Sequence, residues 1–370
     1  MTDFIKNYLD QLTSQYPATK DLADLAARFE LLVSDVILRL PLSVYNDAAT
    51  AIQSIYAHAH SEKVISELKK KCTSEEQAIL DAPIQNNSVL MAYDFHYDFD
   101  SQKLSLIEIN TNASAYLIVD QLYKSQNHEG NPWSDPLAAL KKSFFTEIGF
   151  APHSNNCRVA IIDDHIKDQR MYPEFLMYKS LFESWGLSTQ LRDQDQIRTQ
   201  DFDFIYNRST DFLFSDSKLA PLKTSFLSGA PIFSPHPREY LLLAAKDRLI
   251  QFAKDRISKT IPDCFELKKH TDIDAVWANR KNLFFKPLRM YGSKGAYRGS
   301  SISKTAFDRL LSQDFLVQEY CPPGTYNDWK FDLRFYVYTD QIQMACARIY
   351  KGQVTNFLTP GGGLSCLAFV

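Results

Sequence analysis

The chain has 370 residues, of which 45% are apolar and 23% charged, with a formal net charge of -3. That composition is ordinary for a globular protein with room for two or three cores, and the charge gives no reason to expect nucleic acid or an anionic membrane as partner. The six cysteines (Cys72, Cys157, Cys264, Cys321, Cys346 and Cys366) are scattered without close spacing. This argues against a zinc site or a disulfide framework and leads us to expect a reducing, cytoplasmic setting. Residues 1–7 show no basic segment leading into an apolar core, and the apolar run 31–42 is broken by Asp35 and Arg39. Neither a signal peptide nor a membrane span is therefore expected.

In chain order, residues 21–40 carry apolar side chains at helical spacing (Leu22, Leu25, Phe29, Leu32, Val36, Leu40), Pro41 interrupts, and residues 48–68 resume the helical pattern. From Ser88 the texture turns β-rich. Residues 89–97 and 103–111 read as two strands joined by the polar turn 98–102. A helix is expected over 136–148. The run from Arg158 to Asp164 reads as a buried parallel strand, followed by a helix to Trp185 with Gly186 as its cap, and by strands at 188–192 and 202–206. Alternation of strands and helices indicates a βαβ-type sheet, and no Gly-x-Gly-x-x-Gly follows its first strand. A helix over 237–256, strands at 283–287, 314–320, 332–338, 342–350 and 354–358, and a docked apolar C-terminus complete the reading. Eight of the twelve glycines lie after residue 290, which puts close backbone approach to a ligand in that part of the chain.

The first 98–102 hairpin carries chemistry. With the turn centred on Ser101, facing residue numbers add to about 202, which sets Asp94 opposite Glu108. Glu108 and Asn110 are two apart on one strand and share a face. Asp94, Glu108 and Asn110 then converge as three hard oxygen donors of the kind magnesium prefers, with nucleotide phosphates to complete the shell. Any one of them alone reads equally as an exposed polar position.

Downstream, Lys286 ends the apolar strand Leu283-Phe284-Phe285, where an ammonium calls for an anion. Gly292, Ser293 and Gly295 follow at a spacing that lets backbone N–H groups face phosphate oxygens, although Walker spacing is absent. Gln318-Glu319-Tyr320 leaves an apolar run as a hinge against an adenine edge would, or as an ordinary strand end. Arg334, Arg348 and Asn356 fall on successive expected strands, and Asp332 shares a face with Arg334. Such arginines suit charge developing on a phosphoryl group or acyl phosphate; singly, each reads as a surface salt bridge.

Taken in order, Lys246, Lys286-Pro287 with its glycine loop, Gln318-Glu319-Tyr320, Asp332-Leu333-Arg334, Arg348, Asn356 and Gly361-Gly362-Gly363 resemble the central part of ATP-grasp ligases of the bacterial glutathione synthetase type. That family's remaining half, a helix, a strand with a metal-binding Asp and a Glu-Ile-Asn strand, has its counterpart here in front, at residues 21–114. The resemblance implies an α/β (α+β) protein with a circularly permuted ATP-grasp fold and a Rossmann-like pre-ATP-grasp domain. It divides the chain into N-terminal helices and metal-binding hairpin (1–125), a connecting helix and linker (126–156), the βαβ pre-ATP-grasp domain (157–236), a small lid subdomain (237–325) and the central strands of the large subdomain (326–370). The glycine loop departs from the family in being Gly-Ser-Lys-Gly rather than a Gly-Gly pair. The chain also stops soon after Gly363, which fits only if N-terminal helices pack where the family's C-terminal helices would.

By the same resemblance, ATP and Mg2+ are the expected cofactors. Lys246, Lys286, Gly292, Ser293 and Gly295 would bind ATP phosphates, Gln318, Glu319 and Tyr320 would line the adenine pocket, and Asp328 would meet the ribose. Asp94, Glu108 and Asn110 would hold magnesium, while Arg348, Arg334 and Lys286 would be catalytic. The implied activity is ATP-dependent joining of a carboxylate to an amine or thiol through an acyl phosphate, on small-molecule or peptide substrates, by a monomer or homodimer. A phosphotransferase acting on a hydroxyl, or a nucleotide-binding protein without turnover, is the alternative. Asn112, Ser114, Arg208 and Asp211 are candidate acceptor determinants.

Overall fold

A computed structural model describes residues 1–127, 130–151, 156–288, 295–353 and 355–370. The chain builds three sheets and returns at its end to the first one. Strands β1 (Val33–Leu40), β2 (Met91–Asp98) and β3 (Lys103–Asn110) come early. Four parallel strands follow: β4 (Arg158–Asp163), β5 (Ser188–Asp193), β6 (Phe204–Asn207) and β7 (Ile232–Ser234), in spatial order β5-β4-β6-β7. Next come β8 (Cys264–Glu266), β9 (Leu283–Pro287), β10 (Tyr297–Arg298) and β11 (Phe315–Glu319), an antiparallel sheet in the order β10-β9-β11-β8. Finally β12 (Gly324–Tyr326), β13 (Trp329–Tyr338), β14 (Gln341–Tyr350) and β15 (Gly363–Phe369) join the early strands in a seven-stranded sheet with the main order β1-β15-β14-β13-β2-β3.

The large sheet is mixed. β1 runs parallel to β15, and the other pairings are antiparallel. Its central strands β2, β13, β14 and β15 are buried on both faces over most of their length, and the period of two sorts their side chains. Tyr93, Phe95, Leu333, Phe335, Ala345 and Ala347 face one core, which Val44, Ala48, Ile52 and Ile55 of the helix Leu42–Ala59 complete. Ala92, Tyr336, Met344, Cys346, Leu364 and Cys366 face a second core, shared with the helix Tyr116–Ser125 and with Tyr8, Phe29 and Phe144. Each fully buried Val, Leu, Ile, Phe or Met side chain among them contributes about 1.5–3 kcal/mol of transfer free energy. A third, smaller core of Phe285, Phe307, Phe315 and Val317 lies under the β8–β11 sheet. Among the described residues, no helix is long and apolar enough to cross a membrane.

Three expected elements are corrected. The segment expected to continue a helix to residue 40 is a helix only over Leu25–Glu30, and Val33–Leu40 is a strand. Val33, Val36 and Ile37 are β-branched and stiff, and Leu40 precedes Pro41, whose ring disfavours a helical residue before it. Pro41 therefore closes a strand and opens the helix Leu42–Ala59 rather than breaking one. The expected helix over 237–256 is broken: Pro237–Glu239 runs into a π-turn at Tyr240–Ala244, Ala245 is extended, and a new helix starts at Lys246. No strand forms over residues 355–358, and Val354 lies outside the described residues. The strand that closes the sheet is β15, and Gly363 opens it at φ +119, where a Cβ would come within 2.5 Å of the Leu32 carbonyl.

Gly363→Ala is expected to destabilise the fold by at least the about 1–3 kcal/mol of a left-handed backbone forced on a side-chain-bearing residue. A urea unfolding midpoint equal to wild type would contradict this account of the β1–β15 junction.

Candidate functional site

β2 and β3 pair as a hairpin, with Asp94 facing Glu108 and Ala92 facing Asn110. The pairs nearer the turn, from Asp98–Lys103 to Phe95–Leu106, run one residue short of the expected arithmetic. The register recovers because Ile107 is an extra residue between Phe95–Leu106 and Asp94–Glu108. This β-bulge has a second consequence, because β3 is an edge strand and a bulge twists edge carbonyls out of line. Lys286 Nζ donates to the Ile107 carbonyl at 2.9 Å, Gln318 Nε2 donates to the Leu106 carbonyl at 3.3 Å, and the Leu106 amide donates to the Thr260 carbonyl at 2.7 Å. The small sheet thus docks on the bulged edge.

On the same face as Glu108, four strands contribute one buried ion cluster. Arg334, opposite Asp94 on β13, grips its carboxylate bidentately, Nε to Oδ1 at 2.8 Å and Nη2 to Oδ2 at 2.7 Å. Arg348 on β14 donates Nη2 to Asp94 Oδ2 at 2.9 Å and Nε to Asp332 Oδ1 at 2.5 Å, Asp332 being its cross-strand partner. Asn110 Nδ2 also donates to Asp94 Oδ2, at 3.1 Å, and the Thr355 hydroxyl donates to Asp332 Oδ2. Asp94 is 1% exposed. Burial alone would raise its pKa, but the Arg334 and Arg348 guanidiniums outweigh it and hold the carboxyl well below the usual range. Burial likewise works against the charge on both guanidiniums, yet the facing carboxylates hold their pKa values up, Asp94 acting on Arg334 and Asp332 first on Arg348.

Lys286 is 8% exposed and donates to Gln318 Oε1 at 2.7 Å as well as to Ile107. Lys246, first residue of its helix, donates to the Pro287 carbonyl at 2.9 Å. Burial lowers the pKa of both lysines, and the nearby Glu108 carboxylate opposes that shift. His96, two residues along β2 from Asp94, shares a 2.7 Å hydrogen bond with the Cys321 carbonyl, and burial lowers its pKa.

These groups line one cleft of about 1540 Å³ between the large sheet, the small sheet and the β4–β7 sheet. It brings together Asp94, Glu108, Asn110, Lys246, Lys286, Gln318, Glu319, Tyr320, Arg334 and Arg348. Gly292 and Ser293 lie outside the described residues. Gly295 and Asp328 are not among the cleft's lining residues. Asp328 sits instead at φ 64 in the tight turn between β12 and β13, where the hairpin geometry fixes it. Asn356 is on no strand and donates Nδ2 to the Lys351 carbonyl at 2.8 Å.

The hinge differs in detail from its expectation. The amides of Glu319 and Tyr320 are donated to the Asp263 and Asn282 carbonyls, both at 2.8 Å. The wall there is instead side-chain surface: Phe284 and Tyr320 are near-parallel, with Arg298 4.4 Å from the Tyr320 ring centroid. Asn112, Ser114 and Arg208 do come together, since Arg208 donates to Asn112 Oδ1 and, at 2.8 Å, to Ser114 Oγ. Asp211 lines the cleft. Thr355 and the Ile107 bulge escaped sequence reasoning, the first because a single threonine in a loop carries no periodic signal.

No protein-family model matches the chain, and no curated protein matches it. Among solved structures, a glutathione synthetase-like effector from Globodera pallida superposes with a TM-score of 0.54 at 10% identity, over 99% of this chain and 97% of that one. A putative gamma-glutamylcysteine synthetase from Methylobacillus flagellatus (TM-score 0.47, 11% identity, 88% of each chain) and the ATP-grasp ligase PsnB (TM-score 0.39, 12% identity, 58% of this chain and 78% of that one) are more distant. The chain is an α+β protein with an ATP-grasp-like fold, which it shares over nearly its whole length with the glutathione synthetase-like effector.

Asp94→Asn is expected to destabilise the protein by about 3–5 kcal/mol at pH 7, because it leaves Arg334 without its buried counter-charge. The native carboxyl pKa is depressed, so its stabilisation is complete above the unfolded value of about 3.9 and is lost as pH falls. Unfolding free energies of wild type and Asp94→Asn should therefore draw together progressively as pH falls from about 5 toward about 1. A gap independent of pH would contradict the assignment.

Proposed function

We propose that the cleft binds Mg2+-ATP and activates a carboxylate as an acyl phosphate, which an amine then attacks. The observation that carries this reading is the convergence of two lysines and two arginines on Glu108 and Asn110 in one cleft of an ATP-grasp-like fold. Lys246 and Lys286 would neutralise phosphate oxygens, and their burial would strengthen each contact by excluding water.

The donor set suits magnesium. Glu108 and Asn110 Oδ1 offer hard oxygens on one face, whereas both Asp94 oxygens already accept from guanidiniums. Among the described residues no group of three or more His, Cys, Asp or Glu could hold an ion by itself. Magnesium is bound in just that way in nucleotide sites, by one or two protein oxygens with phosphates completing the octahedron. Glu108 and Asn110 would hold it, and Asp94 would orient Asn110 through the 3.1 Å hydrogen bond. The ion, when bound, supplies charge neutralisation along the polyphosphate.

In the first half-reaction a carboxylate oxygen attacks the terminal phosphorus of ATP, and ADP leaves. In the second, an amine nitrogen forms the C–N bond, inorganic phosphate departs with the C–O electron pair, and the amine loses one proton. Arg348, fixed by Asp332 and Asp94, would stabilise negative charge on the transferring group and on the tetrahedral intermediate without reorganising. The protein forms no covalent bond in this scheme; its contribution is position and electrostatics.

Hydroxylamine tests the scheme. With Mg2+-ATP and a screen of amino-acid and peptide carboxylates, a hydroxamate product is expected, formed in step with ADP. ADP release onto hydroxyl acceptors with no hydroxamate from any carboxylate would favour a phosphotransferase and sink the ligase. Arg348→Lys is expected to lower kcat about 10²–10³-fold while leaving the nucleotide Kd within a few-fold, since the lost donor acts mainly in the transition state.

A further inference from the structure

The cleft is larger than one ligand requires. Small-molecule pockets hold about 300–1,000 Å³, and this one holds about 1540 Å³. Its cationic end is the Lys246, Lys286, Arg334 and Arg348 cluster. The end at the β4–β7 sheet has different chemistry, and it adjoins β3, since Thr111 directly follows Asn110. β5 and β6 pair on opposite sides of β4, so the crevice beyond the carboxyl ends of β4 and β6 is a topological switch point, where open parallel sheets bind ligands.

The loops that leave those strand ends are acidic. Asp164 follows β4, Asp211 follows β6 by four residues, and Asp216 lies five further on; all three line the cleft. Asp211 is half-buried and accepts the Asp216 amide at 2.8 Å, while Asp216 accepts the Lys218 amide at 2.9 Å. Among the described residues no cationic side chain pairs with Asp211 or Asp216, and the ion-pair contact of Asp164 is His165 at 3.9 Å. Arg208, the nearest cation on β6's exit, is committed to Tyr206, Asn112, Ala113 and Ser114. The cleft's other cations, Lys71, Arg248 and Lys269, come from the helical wall and from the turn after β8.

A second, independent observation points to a ligand. Thr111 is 1% exposed, its hydroxyl has no hydrogen-bond partner, and it lines both the cleft and an adjoining pit of about 10 Å³ shared with Ser209, Phe212 and Tyr240. Phe212 and Tyr240 stack there with centroids 4.8 Å apart and planes 18° from parallel. Carboxylates, an unused hydroxyl acceptor and aromatic faces together are the surroundings that recognise an ammonium group. The same carboxylates repel a polyphosphate.

We propose that this end is the acceptor subsite and that it takes a molecule carrying a protonated amine in addition to its reacting nitrogen, such as an aliphatic diamine. The assignment rests on the ligase reading above for the word acceptor, but the binding chemistry stands on the residues named here.

Calorimetric titration of the full chain, without nucleotide, tests it. 1,4-Diaminobutane is expected to bind and succinate, of the same length and opposite charge, is not. Asp211→Asn should weaken diamine binding tenfold or more, and Thr111→Val, which keeps shape and removes the hydroxyl, at least threefold. Lys286→Met should lose Mg2+-ATP binding and keep the diamine affinity. Absence of diamine binding by wild type, equal binding of succinate, or wild-type affinity in the Thr111→Val or Asp211→Asn protein overturns the proposal. Should Asp211→Asn fail to fold, Thr111→Val decides. Diamine binding by a wild-type chain that fails to bind Mg2+-ATP would instead sink the ligase reading and leave the cation subsite standing.

Discussion

One carboxylate, that of Asp94, ties together strands from the two ends of the chain. It is buried, and it accepts from Arg334 on β13 and Arg348 on β14, 240 and 254 residues further on. Desolvating a charge is so costly that an ion of this kind persists only with its partners in place. The early hairpin, β2–β3, is therefore held in register against β13 by hydrogen bonds that cannot be made one strand out, since a slip of one residue would send Asp94 into the apolar core of Tyr93 and Phe95. The charges that organise the sheet are the same charges that face the cleft.

The second constraint is the Ile107 bulge. By turning the Leu106 and Ile107 carbonyls outward, it gives the small sheet something to hold, and Lys286 and Gln318 hold it. Lys286 is thereby fixed at the junction of two sheets, close to Glu108, with Lys246 anchored one strand end away on Pro287. A nucleotide entering this junction would exchange protein carbonyls for phosphate oxygens as the partners of both ammonium groups, an exchange that raises their electrostatic gain.

Much of this is legible in the amino-acid sequence. The Asp94–Glu108 pairing was expected from a turn centred on Ser101, but the turn's own register would set Asp94 opposite Ile107, and it is the bulge that restores the pair; Glu108 and Asn110 share a face by the period of two. The βαβ strands and the cleft-lining Lys246, Lys286, Gln318, Glu319, Tyr320, Arg334 and Arg348 were also in reach. Other features depend on distant partners and left no local trace. Val33–Leu40 has helical spacing of apolar groups but becomes a strand because β15 is there to pair with it. β15 itself is a stretch of small and apolar residues whose role is decided by β1 and β14. Gln318 looked like a hinge residue and is a partner of Lys286, a fact set by a carbonyl 212 residues away.

Glu108, Asn110 and Lys286 are proposed to act on one metal–nucleotide complex. Calorimetric titration with a non-hydrolysable ATP analogue, with and without Mg2+, tests this most directly in wild type, Glu108→Gln and Lys286→Met. We predict Mg2+-dependent binding by wild type, loss of the Mg2+ dependence in Glu108→Gln, and loss of binding in Lys286→Met. Binding that is indifferent to Mg2+ in wild type, or unchanged by both substitutions, would contradict it.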